Sequence, residues 1–355
     1  MGFFRFGLGD LLLTMGRFSE VVQVCREGAE QAERHGLGRT LARTWAAKQT
    51  EALVALGRWD DAEALAAHLL TQDLPHVAES VLCYTRAEML VRRGDPDAAA
   101  AAAGLDRVTR WFPEGNDLLV VAMVRAEHSL ADRDADAALS TMLAAVEQAG
   151  PRVYSYPAWP ALHTLARAII AVEQGSGTPR SHARDVLTQA RQTYTPSGIQ
   201  QVWDAVLDAE LAPSRPHDAP EQWQAAFREL TAPDIEGPAH LRAYTAYQLG
   251  SALLTAGRAG DAMPVLTRAL DEAQALRAAP SKPTSLASLA LGASATARTN
   301  QLGVAGGPAG RGHFYHADIG PDLARGTRGC GCPSPDPHQF RVSTVPASVS
   351  APVVT

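Results

Sequence analysis

Residues 52–70 read "ALVALGRWDDAEALAAHLL": a helix, a break and a second helix in nineteen letters. Leu53 and Leu56 share one helical face, and Gly57 then permits the left-handed cap that ends the helix. Asp60 or Asp61 is placed to accept the free amides of the next helix start. Ala62, Leu65, Ala66 and Leu69 form an i, i+3, i+4, i+7 stripe that has to be buried. Trp59, in the turn, is expected to plug the gap between the two helices.

The same grammar returns along the chain. "LLTMGRFSEVVQVCREG" (12–28) has Gly16 as its stop and Ser19 as its start, and "EMLVRRGDPDAAAAAAGL" (88–105) has Gly94, then Asp95 as cap and Pro96 at the first helical position. "HSLADRDADAALSTMLAAV" (128–146) replaces the glycine with an Asp/Arg turn. "AVEQGSGTPRSHARDVLTQA" (171–190) loosens the turn around Gly175 and Gly177, and "GSALLTAGRAGDAMPVLTRAL" (250–270) restores it at Gly257 and Asp261. Turns near 16, 57, 94, 132, 175 and 257 lie 41, 37, 38, 43 and 82 residues apart, so the last gap is two periods. The missing turn falls in the Pro-rich "LAPSRPHDAPEQW" (211–223).

A period near forty predicts stacked helix pairs: an all-α, tetratricopeptide-like solenoid of about seven helical hairpins over residues 1–279. The strict tetratricopeptide unit is shorter, at about 34 residues, so longer helices or loops are expected. Small residues at the second-helix starts, Ala62, Ala98, Ala137 and Ala262, suit close backbone approach. Low aromatic content, 6%, against abundant alanine favours closely packed helices over sheet sandwiches.

Beyond "LTRALDEAQALRAAP" the character changes. Residues 281–355 carry no glutamate and only nine charged residues, and eighteen of them are glycine or proline. Such a segment cannot bury enough apolar surface to offset its ordering entropy, so 280–355 is expected to be a disordered tail.

The formal charge of −6 argues against a broad nucleic-acid footprint. Four cysteines in 355 residues make no disulfide framework, which points to a reducing cytoplasm. No apolar run reaches membrane-spanning length: "AWPALHTLARAIIAVEQG" is broken by His163, Arg167 and Glu173. The opening "MGFFRFGLGDLLLTMG" has Asp10 inside its apolar stretch and no small-x-small cleavage site, so it reads as a helix entering the first repeat.

Signatures of chemistry are missing. There is no phosphate-cradling G-x-x-x-x-G-K-[ST], no G-x-S-x-G elbow, no H-E-x-x-H and no EF-hand loop. "GLGRT" (36–40) and "GFFRFGLGD" (2–10) read as caps and turns. "HFYH" (313–316), "CGC" (330–332) and His338 hold potential zinc ligands, but C-x-C is tighter than structural-zinc spacing, so these residues are taken as incidental. Cys25 and Cys83 read as small buried hydrophobes. The arginines of "VRRG" (91–94) and "CREG" (25–28) read as solvated helix surface. Trp45, Trp59, Trp111, Trp159, Trp203 and Trp223 read as core or turn packing. No catalytic, cofactor-binding or metal residue is singled out and no cofactor is implied; the chain does not read as an enzyme.

At "GRFSEVVQVCREGAEQAERHGLGRTLARTWAAKQTEALVALGRWDDAEALAAHLL" (16–70) the sequence resembles the helical-repeat region of the large ATP-binding LuxR-type transcriptional regulators, which include MalT-like proteins and are common in actinobacteria. The resemblance continues at "APEQWQAAFREL" (219–230) and "RAYTAYQLGSALLTAGRAGDAMPVLTRALDEAQALRAAP" (242–280) and covers about residues 1–279. In that family a nucleotide-hydrolysing module precedes the repeats, a four-helix DNA reader follows them, and the repeats sense an effector or a partner. This sequence opens inside a repeat without a nucleotide site, and after residue 280 it lacks the expected helix-turn-helix.

The codons of "DLARGTRGC" (322–330), read one nucleotide later, allow Ser-Arg-Glu-x-x-Glu-Val, and those of "HQFRVSTVP" (338–346) allow Thr-Asn-Ser-Gly-Tyr-Arg-Leu-Phe-Leu. Both resemble pieces of the LuxR-type reader, so the tail is expected to be its out-of-frame remnant. The resemblance therefore implies a sensor or protein-interaction module that holds a protein or small-molecule effector in its groove. It would reach DNA only through the helix-turn-helix missing from this chain, and would not touch a membrane. The alternative is an independent tetratricopeptide-like scaffold that binds a peptide or protein.

Overall fold

A computed structural model describes residues 2–109, 116–150, 155–194, 196, 198–212 and 219–276. The expected tail, with His313, His316, Cys330, Cys332 and His338, lies outside the described residues, as does Trp111. Among the described residues there are fourteen α-helices and no strand. They follow one another as seven pairs: α1 (Gly2–Thr14) with α2 (Phe18–Arg34), α3 (Arg43–Ala55) with α4 (Trp59–Leu70), α5 (His76–Arg93) with α6 (Ala98–Thr109), α7 (Asn116–Ala131) with α8 (Ala135–Ala149), α9 (Ser155–Ser176) with α10 (Ser181–Thr193), α11 (Ile199–Leu211) with α12 (Ala219–Leu230), and α13 (Ala239–Thr255) with α14 (Ala259–Ala275). Each pair packs together, and from α1 to α11 the first helix of a pair also packs on the first helix of the next. "GFFRFGLGD" thus lies inside α1 and is neither cap nor turn, because nothing in it stops the helix before Thr14.

One backbone device closes five of the hairpins. Gly16, Gly57, Gly94, Arg133 and Gly257 are left-handed, with φ of 71°, 81°, 67°, 64° and 75°. At each, two hydrogen bonds reach back into the helix just ended, as from Gly57 N to Val54 O and from Arg58 N to Leu53 O. This is the Schellman arrangement, which satisfies carbonyls that the helix itself cannot.

The next helix starts differently from what the sequence suggests. Ser19, Asp60, Asp61 and Asp261 do not cap by side chain; they sit within the first turn, after Arg17, Arg58 and Arg258. Each of these arginines instead donates from Nε to the acid three residues on: Glu20 at 2.5 Å, Asp61 at 2.8 Å and Asp261 at 2.9 Å. An acid there also favours the positive end of the helix dipole. Asp134 is a true side-chain cap, accepting from Ala137 N at 3.0 Å. Asp95 accepts from Asp97 N at 2.9 Å, and α6 begins after Pro96, at Ala98. At the loosened fifth turn Glu173 accepts from Arg180 N at 2.7 Å and from Arg184, and these partners draw its carboxyl down to about 2.

Packing follows the apolar stripes. Ala62, Ala66 and Leu69 are buried while Leu65 is half-buried; Ala98 and Ala262 are buried, but the close contact expected of Ala137 falls to its neighbour Ala138. Trp59 is buried in its turn, donates from Nε1 to Val54 O at 2.9 Å and lies under the Arg93 guanidinium. Trp45, Trp159, Trp203 and Trp223 are buried as well.

The ends of the succession meet. Leu53, Val54, Trp59 and Met89 share an apolar cluster with Ala239, Ala243, Ala273 and Leu276, and α1 packs on α11. Glu236 N donates to Gly16 O at 2.9 Å. Inner faces that a purely open succession would leave to solvent are thus brought against one another. No helix among the described residues is long and apolar enough to cross a membrane.

Candidate functional site

Where the early and last hairpins meet, the first helices of all seven pairs contribute polar side chains to one connected network. Lys48 on α3 binds Asp10 of α1 at 2.7 Å and Glu51, one turn on, at 3.1 Å. Tyr84 on α5 donates its hydroxyl to Glu51 Oε1 at 2.8 Å. One further turn along α5, Glu88 pairs with Arg92. The Arg92 fork reaches Glu127 on α7, with Nε 3.1 Å from Oε2 and Nη2 3.3 Å from Oε1. Arg92 Nη1 also faces His240 Nδ1 of α13 at 3.3 Å. Arg92 is therefore not solvated surface, as its "VRRG" context suggests, but 8% exposed, with partners on three helices. The stem of α5 turns this face inward, because α5 packs on both α3 and α7.

A second cluster adjoins the first through rings. Trp203 on α11 lies 5.9 Å from the His240 ring and 5.5 Å from that of His163 on α9. Tyr244 on α13 donates to Glu210 Oε2 on α11 at 2.7 Å, accepts from Gln248 at 3.0 Å, and lies under the Arg167 guanidinium of α9. His163 Nε2 stands 3.6 Å from Glu210 Oε2, too far for a hydrogen bond. Of the residues that break the apolar run 158–175, His163 and Arg167 thus project into this interior, while Glu173 serves the turn after α9.

Burial and neighbouring charge divide the protonation states. Burial pushes His240 well below its ordinary range, helped by Arg92, and burial outweighs Glu210 in lowering His163; both imidazoles are neutral at pH 7. Burial opposes ionisation of Glu127, but Arg92 and then Arg167 bring it below the usual carboxylate value. Glu88 goes the other way: burial raises it, and Arg92 offsets this only in part. Burial also raises Tyr244 well above 10, with Glu210 adding to it. Arg92 keeps its charge despite burial because Glu127 and Glu88 hold it.

Between α3, α5, α7 and α13 this cluster borders a cavity of about 80 Å³. Its polar walls are Glu51, Tyr84, Thr85, Glu88, Arg92 and His240; Val54, Ala55, Val120, Met123 and Pro238 supply the apolar ones. A wider groove of about 730 Å³ runs between α11 and α12, but two of its acids, Asp204 and Asp208, are held by Arg191 at 2.6 and 2.7 Å.

No three His, Cys, Asp or Glu side chains among the described residues are grouped to hold a metal ion. Cys25 is fully buried, its thiol pushed up to about 12 by burial, and is no nucleophile. The interior links α5, α7, α9, α11 and α13 through its ion pairs, hydrogen bonds and ring contacts. Its members carry one shared signal in the sequence, a charged or hydroxyl side chain on an otherwise apolar stripe, as with His163, Thr164 and Arg167 in "ALHTLARAII". Comparison with protein-family models, with curated proteins and with solved structures finds no match for this chain.

Proposed function

We propose that this chain is the sensor or protein-interaction portion of a LuxR-type transcriptional regulator, a tetratricopeptide-like solenoid that works in the cytoplasm. The observation that carries the reading is the Arg92 cluster. One buried guanidinium ties α5 to α7 and α13, so anything that binds beside it biases how the early and late hairpins dock. Seven successive hairpins with a recurrent Schellman turn support the solenoid reading. The stretches at 16–70, 219–230 and 242–280 support the family.

Hydrogen exchange on the purified chain tests the sensing role. An effector or partner is expected to slow exchange in α5 and α13 together, and this concerted protection is expected to vanish in Arg92→Met. Protection confined to one hairpin refutes the coupling. The regulator reading is tested separately, by translating the adjacent frame of the gene beyond residue 280. A helix-turn-helix is expected there, while the chain itself neither retards promoter DNA nor hydrolyses ATP. With no helix-turn-helix in that frame, the independent scaffold that binds a peptide or protein is the reading that stands.

A further inference from the structure

Two carboxylates, on Glu51 and Glu88, line the cavity beside one cation, Arg92; behind them Lys48 bridges Glu51 to Asp10, and Arg92 also holds Glu127. The two lining acids outnumber the one lining cation, whose guanidinium is also drawn away to Glu127, so the wall formed by Glu51 and Glu88 is negative in balance. A cationic guest is electrostatically matched to it.

Two further atoms ask for partners. Thr85, 1% exposed, lines the cavity, and its hydroxyl has no hydrogen-bond partner. His240 also lines it, and its Nε2 is buried without a partner. Because His240 Nδ1 faces the Arg92 guanidinium, a group that only donates, Nδ1 is the acceptor and Nε2 carries the hydrogen. The cavity thus offers acceptors at its α3/α5 wall and one buried N–H donor from α13. Leaving such buried groups unpaired is costly, so a guest that satisfies them gains by it.

Size limits the guest. A cavity of about 80 Å³ is smaller than the ~150 Å³ that accepts benzene, yet several times what one water needs. That is room for about four or five non-hydrogen atoms.

We infer that this cavity binds a small primary ammonium compound with an oxygen acceptor two or three atoms from the nitrogen. The ammonium sits against Glu88, Glu51 and the Thr85 hydroxyl, and the oxygen accepts from His240 Nε2. The inference deepens the sensor reading by giving its effector a chemical class, and it rests on that reading for its purpose.

Isothermal titration of the full chain tests it, with ethanolamine and glycinamide as probes and ethylamine and ethylene glycol as controls. At least one probe is expected to bind saturably at one site per chain. Ethylamine should be at least tenfold weaker, and ethylene glycol silent. Thr85→Val, which keeps the shape and removes the hydroxyl, is expected to weaken the probe at least tenfold with an unchanged circular dichroism spectrum. Glu88→Gln should do the same, and serves should the valine variant not fold. Silence of both probes overturns the inference, as does undiminished binding in the folded variants. Exchange measured on the same samples separates the two ideas. Probe binding without protection in α5 and α13 leaves the site and removes the sensor. Protection caused by a neutral or anionic compound, with the amines silent, leaves the sensor and removes the amine.

Discussion

The backbone N–H of Ser19 donates to Oε2 of Glu236, 217 residues away, at 2.6 Å. α2 has no side-chain cap of its own, so a carboxylate from the far end of the chain satisfies one of its first amides. Glu236→Ala is expected to cost about 0.5–2 kcal/mol, the range for losing an N-cap. Urea unfolding measures this. Loss of exchange protection should appear at the start of α2 as well as near residue 236.

The left-handed glycines are predicted to differ in tolerance. At Gly257 a Cβ would meet nothing within 4 Å, so Gly257→Ala should cost only the backbone term, about 1–2 kcal/mol. At Gly57 it would stand 2.8 Å from the Ala239 Cβ and 2.9 Å from Leu276 Cδ2. Gly57→Ala should therefore lose about 1–3 kcal/mol more, from overpacking between the second and last hairpins. Equal losses at both positions would show that these hairpins do not meet.

Removing Arg92 leaves Glu88 and Glu127 facing each other without their cation. Arg92→Met is expected to destabilise by about 3–5 kcal/mol, as measured by denaturant unfolding. Adding Glu127→Gln to it should recover part of the loss, since one of the two uncompensated charges goes with it. A double variant no more stable than Arg92→Met would contradict the pairing.

Stability is expected to fall with acid through the buried histidines. His163 and His240 have folded-state values below the ordinary 6.5, so the unfolded chain binds protons first. Their contribution is complete above pH 6.5 and is lost as pH drops towards their folded values. His240 faces Arg92, Arg167, Arg242 and His163, all of which resist its protonation after burial itself. Glu88 acts oppositely, because its raised carboxyl gains a proton on acidification at a smaller penalty folded than unfolded. Two imidazoles outweigh it, so the melting temperature should decline from pH 7 to pH 5.5. His240→Gln should flatten the slope by up to one proton, ~1.4 kcal/mol per pH unit. A wild-type curve that rises over this range would place the raised carboxyls of Glu88 and Asp117 in control.

Thiol reactivity should separate the two described cysteines. Cys25 is fully buried and its thiol raised to about 12, so it should resist alkylation until the chain unfolds. Cys83 is half-buried and also raised by burial, and should react slowly in the native state. Site-resolved mass spectrometry after timed iodoacetamide treatment measures both.

How much of this was legible beforehand depends on the range of the interaction. Gly16, Gly57, Gly94, the Asp/Arg turn at 133 and Gly257 were readable as helix stops, because a left-handed residue after an apolar stripe is a local demand of the backbone. Trp59 could be assigned to its turn for the same reason. The helix starts were less legible. Arginine is not a capping residue by propensity, and its bond to an acid three residues on looks like any surface pair. The common interior leaves the weakest local mark: the letters around Arg92 read as solvated surface, although its side chain is buried.

The amino-acid sequence, by its stops and its 3.6-residue stripes, determined on its own that the described chain is a succession of seven helical hairpins, since those choices are settled within one turn of backbone. Tertiary structure alone decided that the hairpin at Gly57 would rest on Ala239, that Glu236 would cap α2, and that Arg92, Glu127 and His240 would share one buried cluster. Which face of a helix is inside depends on the phase accumulated over every hairpin between two points, and a small rotation at each turn moves a polar residue between water and core. No local window of sequence contains that sum.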